Sequence, residues 1–120
     1  MPETTPFDLI RIDVGGHPTL VVYGEVDVLT SPRLHEALEE VIAEGPSLLL
    51  LDLANVTFID STGLSALVVA HRHLGGAGGE LRLVSVPKAV AQLFAVAGLD
   101  ARFKIYPSVE HATEGAPPAR

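Results

Sequence analysis

Cysteine is absent from this 120-residue chain, which excludes disulfides, thiolate nucleophiles and Cys-ligated zinc. Basic residues are scarce: 8 Lys and Arg stand against 15 Asp and Glu, for a net charge of −7. An acidic chain with no basic cluster repels phosphate backbones and anionic lipid headgroups, so neither direct nucleic-acid contact nor membrane binding is expected. No apolar run approaches the ~18 residues of a membrane helix; the run Leu48–Leu51 is closed by Asp52. The opening residues, Met1 to Pro6, have neither the positive charge nor the apolar stretch of a signal peptide, and a cytoplasmic protein is expected. What is present is apolar residues, 48% of the chain, enough for one core in one domain.

The periodicity changes along the chain. Residues 7–14 read as a strand, with Ile10, Ile12 and Val14 alternating against Arg11 and Asp13. Gly15-Gly16-His17-Pro18 supplies a turn, and Thr19–Tyr23 a second strand, antiparallel to the first. Leu34, Ala37, Leu38, Val41 and Ile42 then mark one helical face, with Ser31 as cap, Pro32 at the first position and Gly45-Pro46 as stop. Leu48–Leu53 does not alternate and reads as a strand buried on both faces. A second helix is expected from Ser61 to Gly75-Gly76, with Leu64, Leu67 and Val68 in its stripe, then a strand over Leu81–Val86. A third helix follows Pro87, with Val90, Leu93, Phe94 and Ala97 inward and Gly98 and Leu99 ending it. Phe103–Tyr106 is a last strand, and Ser108 caps a short helix. The order β-β-α-β-α-β-α-β-(α) predicts an α/β domain over residues 7–114, with a mixed sheet and flexible ends at 1–6 and 115–120.

The stretch Asn55–Leu64 joins the leucine strand to the second helix. Asp60 and Ser61 are both N-cap types, and taken alone the segment reads as an ordinary cap. Gly63 does not fit a pure cap, because it costs up to ~1 kcal/mol against Ala in a first turn. Glycine there clears space beside Ser61 for another backbone or a phosphate.

Asp60-Ser61-Thr62-Gly63-Leu64, preceded by Leu50-Leu51-Asp52-Leu53 and Val56-Thr57-Phe58-Ile59, resembles the phosphorylation motif of the STAS-domain anti-sigma factor antagonists. Gly24-Glu25-Val26-Asp27 and Ser31-Pro32-Arg33-Leu34 resemble that family's second strand and first helix. Pro87 with Val90, Leu93 and Phe94, then Ala97-Gly98-Leu99-Asp100, resembles its third helix and exit. The resemblance runs from Phe7 to Ala112. It implies a STAS-like domain that binds an anti-sigma factor serine kinase and so frees a sigma factor. The kinase, which brings the ATP, would phosphorylate Ser61 and release the antagonist; a metal-dependent serine phosphatase would reverse this. The antagonist itself would catalyse nothing and carry no cofactor. Asp60, Thr62 and Gly63 would shape the surface the kinase recognises, joined by Asp27 and Arg33. Asp27 also reads as a turn or capping aspartate, and Thr62 as an ordinary helix residue or a second acceptor.

Other readings compete. The same fold serves as an unswitched scaffold in a stress-signalling complex or as a transporter subunit. Asp52, at the end of the leucine strand, sits where a response-regulator receiver has its phosphoacceptor, but Asp13 stands without an acidic neighbour and Lys104 does not complete the set. A serine hydrolase lacks its Gly-x-Ser-x-Gly elbow. Gly75-Gly76-Ala77-Gly78-Gly79 closes a helix instead of opening one, so it is a connection and not a phosphate loop. His71 and His73, two apart on a helix, diverge and predict no metal site. Glu36, Glu39, Glu40 and Glu44 form an acidic helix face, either solvated or steering a basic partner.

Overall fold

Gly15 and Gly16 both take positive φ, 59° and 82°, the backbone of a two-residue hairpin turn. That turn pairs β1 (Phe7–Val14) antiparallel to β2 (His17–Val26), from Val14 opposite His17 to Phe7 opposite Gly24. The computed structural model describes residues 6–118. After the hairpin come α1 (Ser31–Ile42), β3 (Leu48–Ile59), α2 (Ser61–Gly76), β4 (Glu80–Val84), α3 (Lys88–Val96), β5 (Lys104–Tyr106) and α4 (Val109–Thr113). The sheet runs β1-β2-β3-β4-β5, with every pair after the first parallel. This is the expected mixed α/β order. Because the crossovers advance one strand at a time in one direction, their right-handedness puts α1, α2 and α3 on the same face.

That face holds the main core. Leu49, Leu51 and Leu53 of β3 meet Leu34 and Leu38 of α1, Leu64, Leu67 and Leu74 of α2, and Val90 and Phe94 of α3. The other face of β3 carries Leu48 and Leu50, which are also fully buried, beneath Ala112 of α4. The leucine strand is thus closed on both sides, and the short last helix is one of its covers. Arg82 fastens that cover: its guanidinium donates to the Ala112 carbonyl at 2.8 Å and pairs with Glu80, which also accepts from Lys104 at 3.1 Å. Burial works against ionising Glu80, but the bonds from Arg82 and Lys104 prevail and hold its carboxyl below the ordinary range. Of the tail expected to be free, Ala116 packs against the same cluster and the Pro118 carbonyl accepts from Ser47 at 2.7 Å. Residues 1–5 and 119–120 lie outside the described residues.

Several expectations need correction. In β1 it is Phe7 and Leu9, not Ile10 and Ile12, that pack on the main core. The register puts Leu9 beside Val22 on the helix face and Ile10 beside Val21 on the other, where Ile10 and Ile12 remain 44% exposed. An edge strand with apolar residues on both faces has an ambiguous period, and only the pairing decides which face is inward. The cap of α1 is Thr30, not Ser31, so Pro32 is the second helical residue. β3 does not stop at Leu53 but continues to Ile59, because β2 shifts register alongside it and Val56 and Ile59 reach the core. Asp52 is therefore inside a strand, its carboxylate accepting from Ala54 N–H at 2.9 Å, and the receiver reading fails there. Ala97 is exposed at the C-cap of α3 instead of inward. The Gly98 ending stands as expected: Leu99 N–H reaches the Phe94 carbonyl at 2.8 Å and the Leu99 side chain packs on the core.

Candidate functional site

The C-terminal ends of β2 and β3 rise together, and the site is built on the two turns that leave them. Asp60 N–H donates to the Val26 carbonyl at 3.0 Å, tying the start of α2 to the end of β2. One carboxylate oxygen of Asp60 then accepts from Thr62 N–H at 2.9 Å, from Gly63 N–H at 3.2 Å and from the Thr62 hydroxyl. Of the two capping residues the sequence offers, Asp60 takes the role. Its neighbour is left free of it. Ser61, the first residue inside the helix, is exposed, and its hydroxyl makes no hydrogen bond to another described residue. Thr62 has the opposite character, half-buried and with its hydroxyl spent on Asp60. Of the two hydroxyls in the first turn of α2, that of Ser61 is therefore the one open to a reactive partner.

Asp27 stands in the neighbouring turn, one residue beyond the Val26 carbonyl that holds Asp60. Its carboxylate accepts from Leu29 N–H at 2.9 Å and Thr30 N–H at 3.1 Å, the capping work one of its two readings anticipated. The Thr30 hydroxyl is turned away from the helix toward the Glu25 carbonyl, at 2.7 Å. Asp27 and Ser61 thus occupy adjacent turns at one end of the sheet. Arg33 is not with them. Its guanidinium lies 4.8 Å above the Phe7 ring, against β1. Ser31, Pro32 and His35 instead line the groove toward Thr62, Ser65 and Val69 of α2. Arg33 and His35 are about 200° apart around the helix, which separates Arg33 from that groove.

Gly63 turns out to be buried, and its reason is inside the protein. A Cβ built there would lie 2.5 Å from Ile59 Cγ1 and 2.7 Å from Val26 Cγ1. The glycine lets the first turn of α2 sit directly on the ends of β2 and β3, which is what brings Asp60 within reach of Val26. Gly63→Ala gains helix propensity but overpacks two β-branched side chains, for an expected net loss of about 1–2 kcal/mol in urea unfolding. Gly75→Ala, in the same helix with open space around it, is expected to gain stability by up to ~1 kcal/mol. Equal effects at the two positions would remove the packing explanation.

Three apolar residues at this end were not picked out from sequence. Val28 and Leu29, in the turn between Asp27 and Thr30, are each 66% exposed, and Phe58 is 48% exposed three residues before Ser61. Two large aliphatic side chains in a four-residue turn, with no element to bury them, were the available signal. From Ser61 a groove of about 400 Å³ continues along α2 past Leu64, Val68 and Arg72, walled by Ala97 and Leu99. The acidic residues expected on α1 are partly engaged within the chain: Glu39 pairs with His73, and Glu44, which lies in the turn beyond the end of α1, accepts two bonds from Arg11, at 2.6 and 2.9 Å. His71 packs edge-on against Phe103, while His73 pairs with Glu39. Among the described residues no cluster of three metal-ligating side chains occurs, and no helix is long and apolar enough to cross a membrane.

Comparison with known proteins agrees with this arrangement. A STAS domain family profile matches residues 12–112. The anti-sigma-F factor antagonist RsfB of Mycobacterium tuberculosis is 30% identical over 111 residues, covering 90% of each chain. The anti-sigma-B factor antagonist of Listeria monocytogenes is 36% identical over 83 residues, 69% of this chain and 73% of the relative. Among solved structures, an anti-sigma factor antagonist from Mycobacterium paratuberculosis superposes with a TM-score of 0.84 at 31% identity, over 92% of this chain and 94% of that one. The profile, the relatives and the fold converge: this chain belongs to the STAS-domain anti-sigma factor antagonists, a family of regulators and not of enzymes.

Proposed function

We propose that this protein binds an anti-sigma factor that is also an ATP-dependent serine kinase, and that phosphorylation of Ser61 ends the association. The observation that carries the reading is the division of labour at the start of α2. Asp60 caps the helix, Thr62 is bonded to Asp60, and of the two hydroxyls in this first turn that of Ser61 is the exposed one with no bond to another described residue. The kinase transfers the γ-phosphoryl group to Ser61 Oγ, and a metal-dependent serine phosphatase removes it. The surface engaged is the end of the sheet around Ser61: Asp60, Thr62 and Asp27, with Val28, Leu29 and Phe58 as its apolar contacts. Gly63 serves it from below, by letting the helix start where it does. Arg33 contributes at most through α1, since it stacks on Phe7.

Incubation with ATP and host lysate, followed by mass-spectrometric mapping, tests the assignment. One phosphoryl group on Ser61, absent from a Ser61→Ala protein that still binds the partner, is the expected result. Undiminished phosphorylation of Ser61→Ala would place the site elsewhere. An unmodified Ser61 in a lysate that phosphorylates another substrate would favour the unswitched scaffold.

A further inference from the structure

The first strand stands at the edge of the sheet, with no strand of the described residues on its outer side, and its chemistry is self-complementary. Natural sheets blunt their edges with proline, lysine, bulges or a covering element. Between Phe7 and Val14, β1 has no proline, no lysine and no register break against β2, and Ile10 and Ile12 are both 44% exposed on one face. The two-residue turn fixes which backbone groups point outward. Val14 and His17 flank it as a hydrogen-bonded pair, so Val14, Ile12, Ile10 and Asp8 address β2. Continuing the alternation, Glu25 N–H donates to the Pro6 carbonyl at 2.8 Å, as that parity requires. Asp13, Arg11, Leu9 and Phe7 therefore direct their N–H and C=O groups away from the sheet. Leu9 N–H is already taken by the carboxylate of Asp8, at 2.8 Å. Toward the hairpin turn, the outward donors with no bond to another described residue are those of Arg11 and Asp13.

We propose that β1 pairs antiparallel with β1 of a second copy about a two-fold axis through Ile12, forming one continuous sheet across a homodimer. In that register Arg11 faces Asp13 of the second copy and Asp13 faces its Arg11. Each pair exchanges two backbone hydrogen bonds between the outward-facing groups, and each sets the Asp13 carboxylate of one copy opposite the Arg11 guanidinium of the other, which Glu44 of its own chain also holds. Ile12 meets Ile12 at the axis, and Ile10 meets Val14, on the face now exposed. Val21 and Thr19 of β2, which pair with Ile10 and Ile12 within the chain, are already buried, so the contact is made by β1 itself. Moving the axis by one residue sets Arg11 against Arg11 or Asp13 against Asp13, and like charges directly opposite are destabilising. Moving it to Ile10 calls on Leu9 N–H, which Asp8 occupies. The sequence thus selects one register. The edge lies across the sheet from β5 and does not include Ser61, so the dimer is independent of the switch proposed above.

An interface of two five-residue strands is small, and a dissociation constant of roughly 0.1–1 mM is expected. Sedimentation velocity from about 10 μM to about 1 mM spans the transition for a dimer of that strength. The wild type is expected to move toward the dimer with concentration. Ile12→Lys puts two ammonium groups at the axis, and Asp13→Arg sets Arg against Arg11; each should weaken association at least about tenfold. Both positions are exposed, so circular dichroism should show unchanged folds. In the wild type itself, amide exchange at Arg11 and Asp13 should slow as concentration rises, while that at Val28 does not. A wild type that stays monomeric across the range overturns the proposal. So does a dimer indifferent to both substitutions, or one in which those two amides gain no protection.

Discussion

Phosphorylated at Ser61, the protein is expected to bind its anti-sigma factor at least about a hundredfold more weakly, a loss of about 2.7 kcal/mol, while its melting temperature moves by less than about 5 °C. Two features separate those outcomes. Within the domain, the phosphate sits on the first residue of a 16-residue helix, where the helix dipole favours an anion by about 0.3–1 kcal/mol. Ser61 makes no side-chain bond to another described residue that the modification must break, and Asp60, not Ser61, carries the cap. The added charge of about −1.5 to −2 lies near Asp60 and offsets part of the dipole's benefit, so little net change in folding remains. At an interface the balance reverses. The same phosphate must leave water among Val28, Leu29 and Phe58, each exposed, and beside the carboxylates of Asp60 and Asp27. Calorimetric titration of the partner with both forms, alongside thermal melts, checks the pair of values. Weak binding accompanied by a fall in melting temperature above about 10 °C would mean that the phosphate acts by loosening α2 instead of by charge at the contact.

The framework of the fold was legible because each element carries a local signature that does not depend on the others. Gly15-Gly16 fixes a hairpin, the unalternating leucines fix a doubly covered strand, and Gly98 followed by Leu99 fixes the end of α3. Errors fell where a neighbour decides. Whether Ile10 or Leu9 of β1 faces inward is settled by the strand it pairs with, and both patterns are written into Phe7–Val14. The run of β3 past Asp52 depends on β2 shifting register alongside it, which no period within β3 reveals. At the site, the motif located Ser61, but the roles around it are three-dimensional. Asp60 and Ser61 are interchangeable caps by type, and the Val26 carbonyl, by holding Asp60 N–H, fixes where the helix begins. Gly63 looked like a clearance for something arriving from outside; the clearance is for Val26 and Ile59. Arg33 adjoins the site in sequence and faces β1 in space.

The largest effect on folding is expected at Gly24, remote from Ser61 in sequence and joined to it through two residues. Gly24 has φ of +93°, outside the range of L side chains, and a Cβ there would lie 2.2 Å from the Pro6 carbonyl oxygen and 2.8 Å from its carbon. The obstacle is backbone, so no rotamer relieves it. Nor can Pro6 withdraw without cost, because its carbonyl accepts from Glu25 N–H at 2.8 Å, the bond that begins the β1–β2 ladder. Gly24→Ala therefore combines backbone strain of about 1–3 kcal/mol with an overlap of similar size. A loss of about 3–5 kcal/mol is expected, a large share of the 5–15 kcal/mol that holds a typical domain. Gly45→Ala provides the comparison: φ is +72° but nothing lies within 4 Å, so strain alone remains and about 1–2 kcal/mol should be lost. Urea unfolding of the two variants separates overlap from strain, and a Gly24 variant no weaker than the Gly45 one would discard the close approach as the reason for the glycine. The consequence reaches the site. Gly24 and Glu25 lead directly to Val26, whose carbonyl positions Asp60, so a displaced β2 end also displaces the cap on which the exposure of Ser61 depends. Gly24→Ala should therefore slow phosphorylation of the fraction that remains folded, whereas Gly45→Ala should leave its rate unchanged.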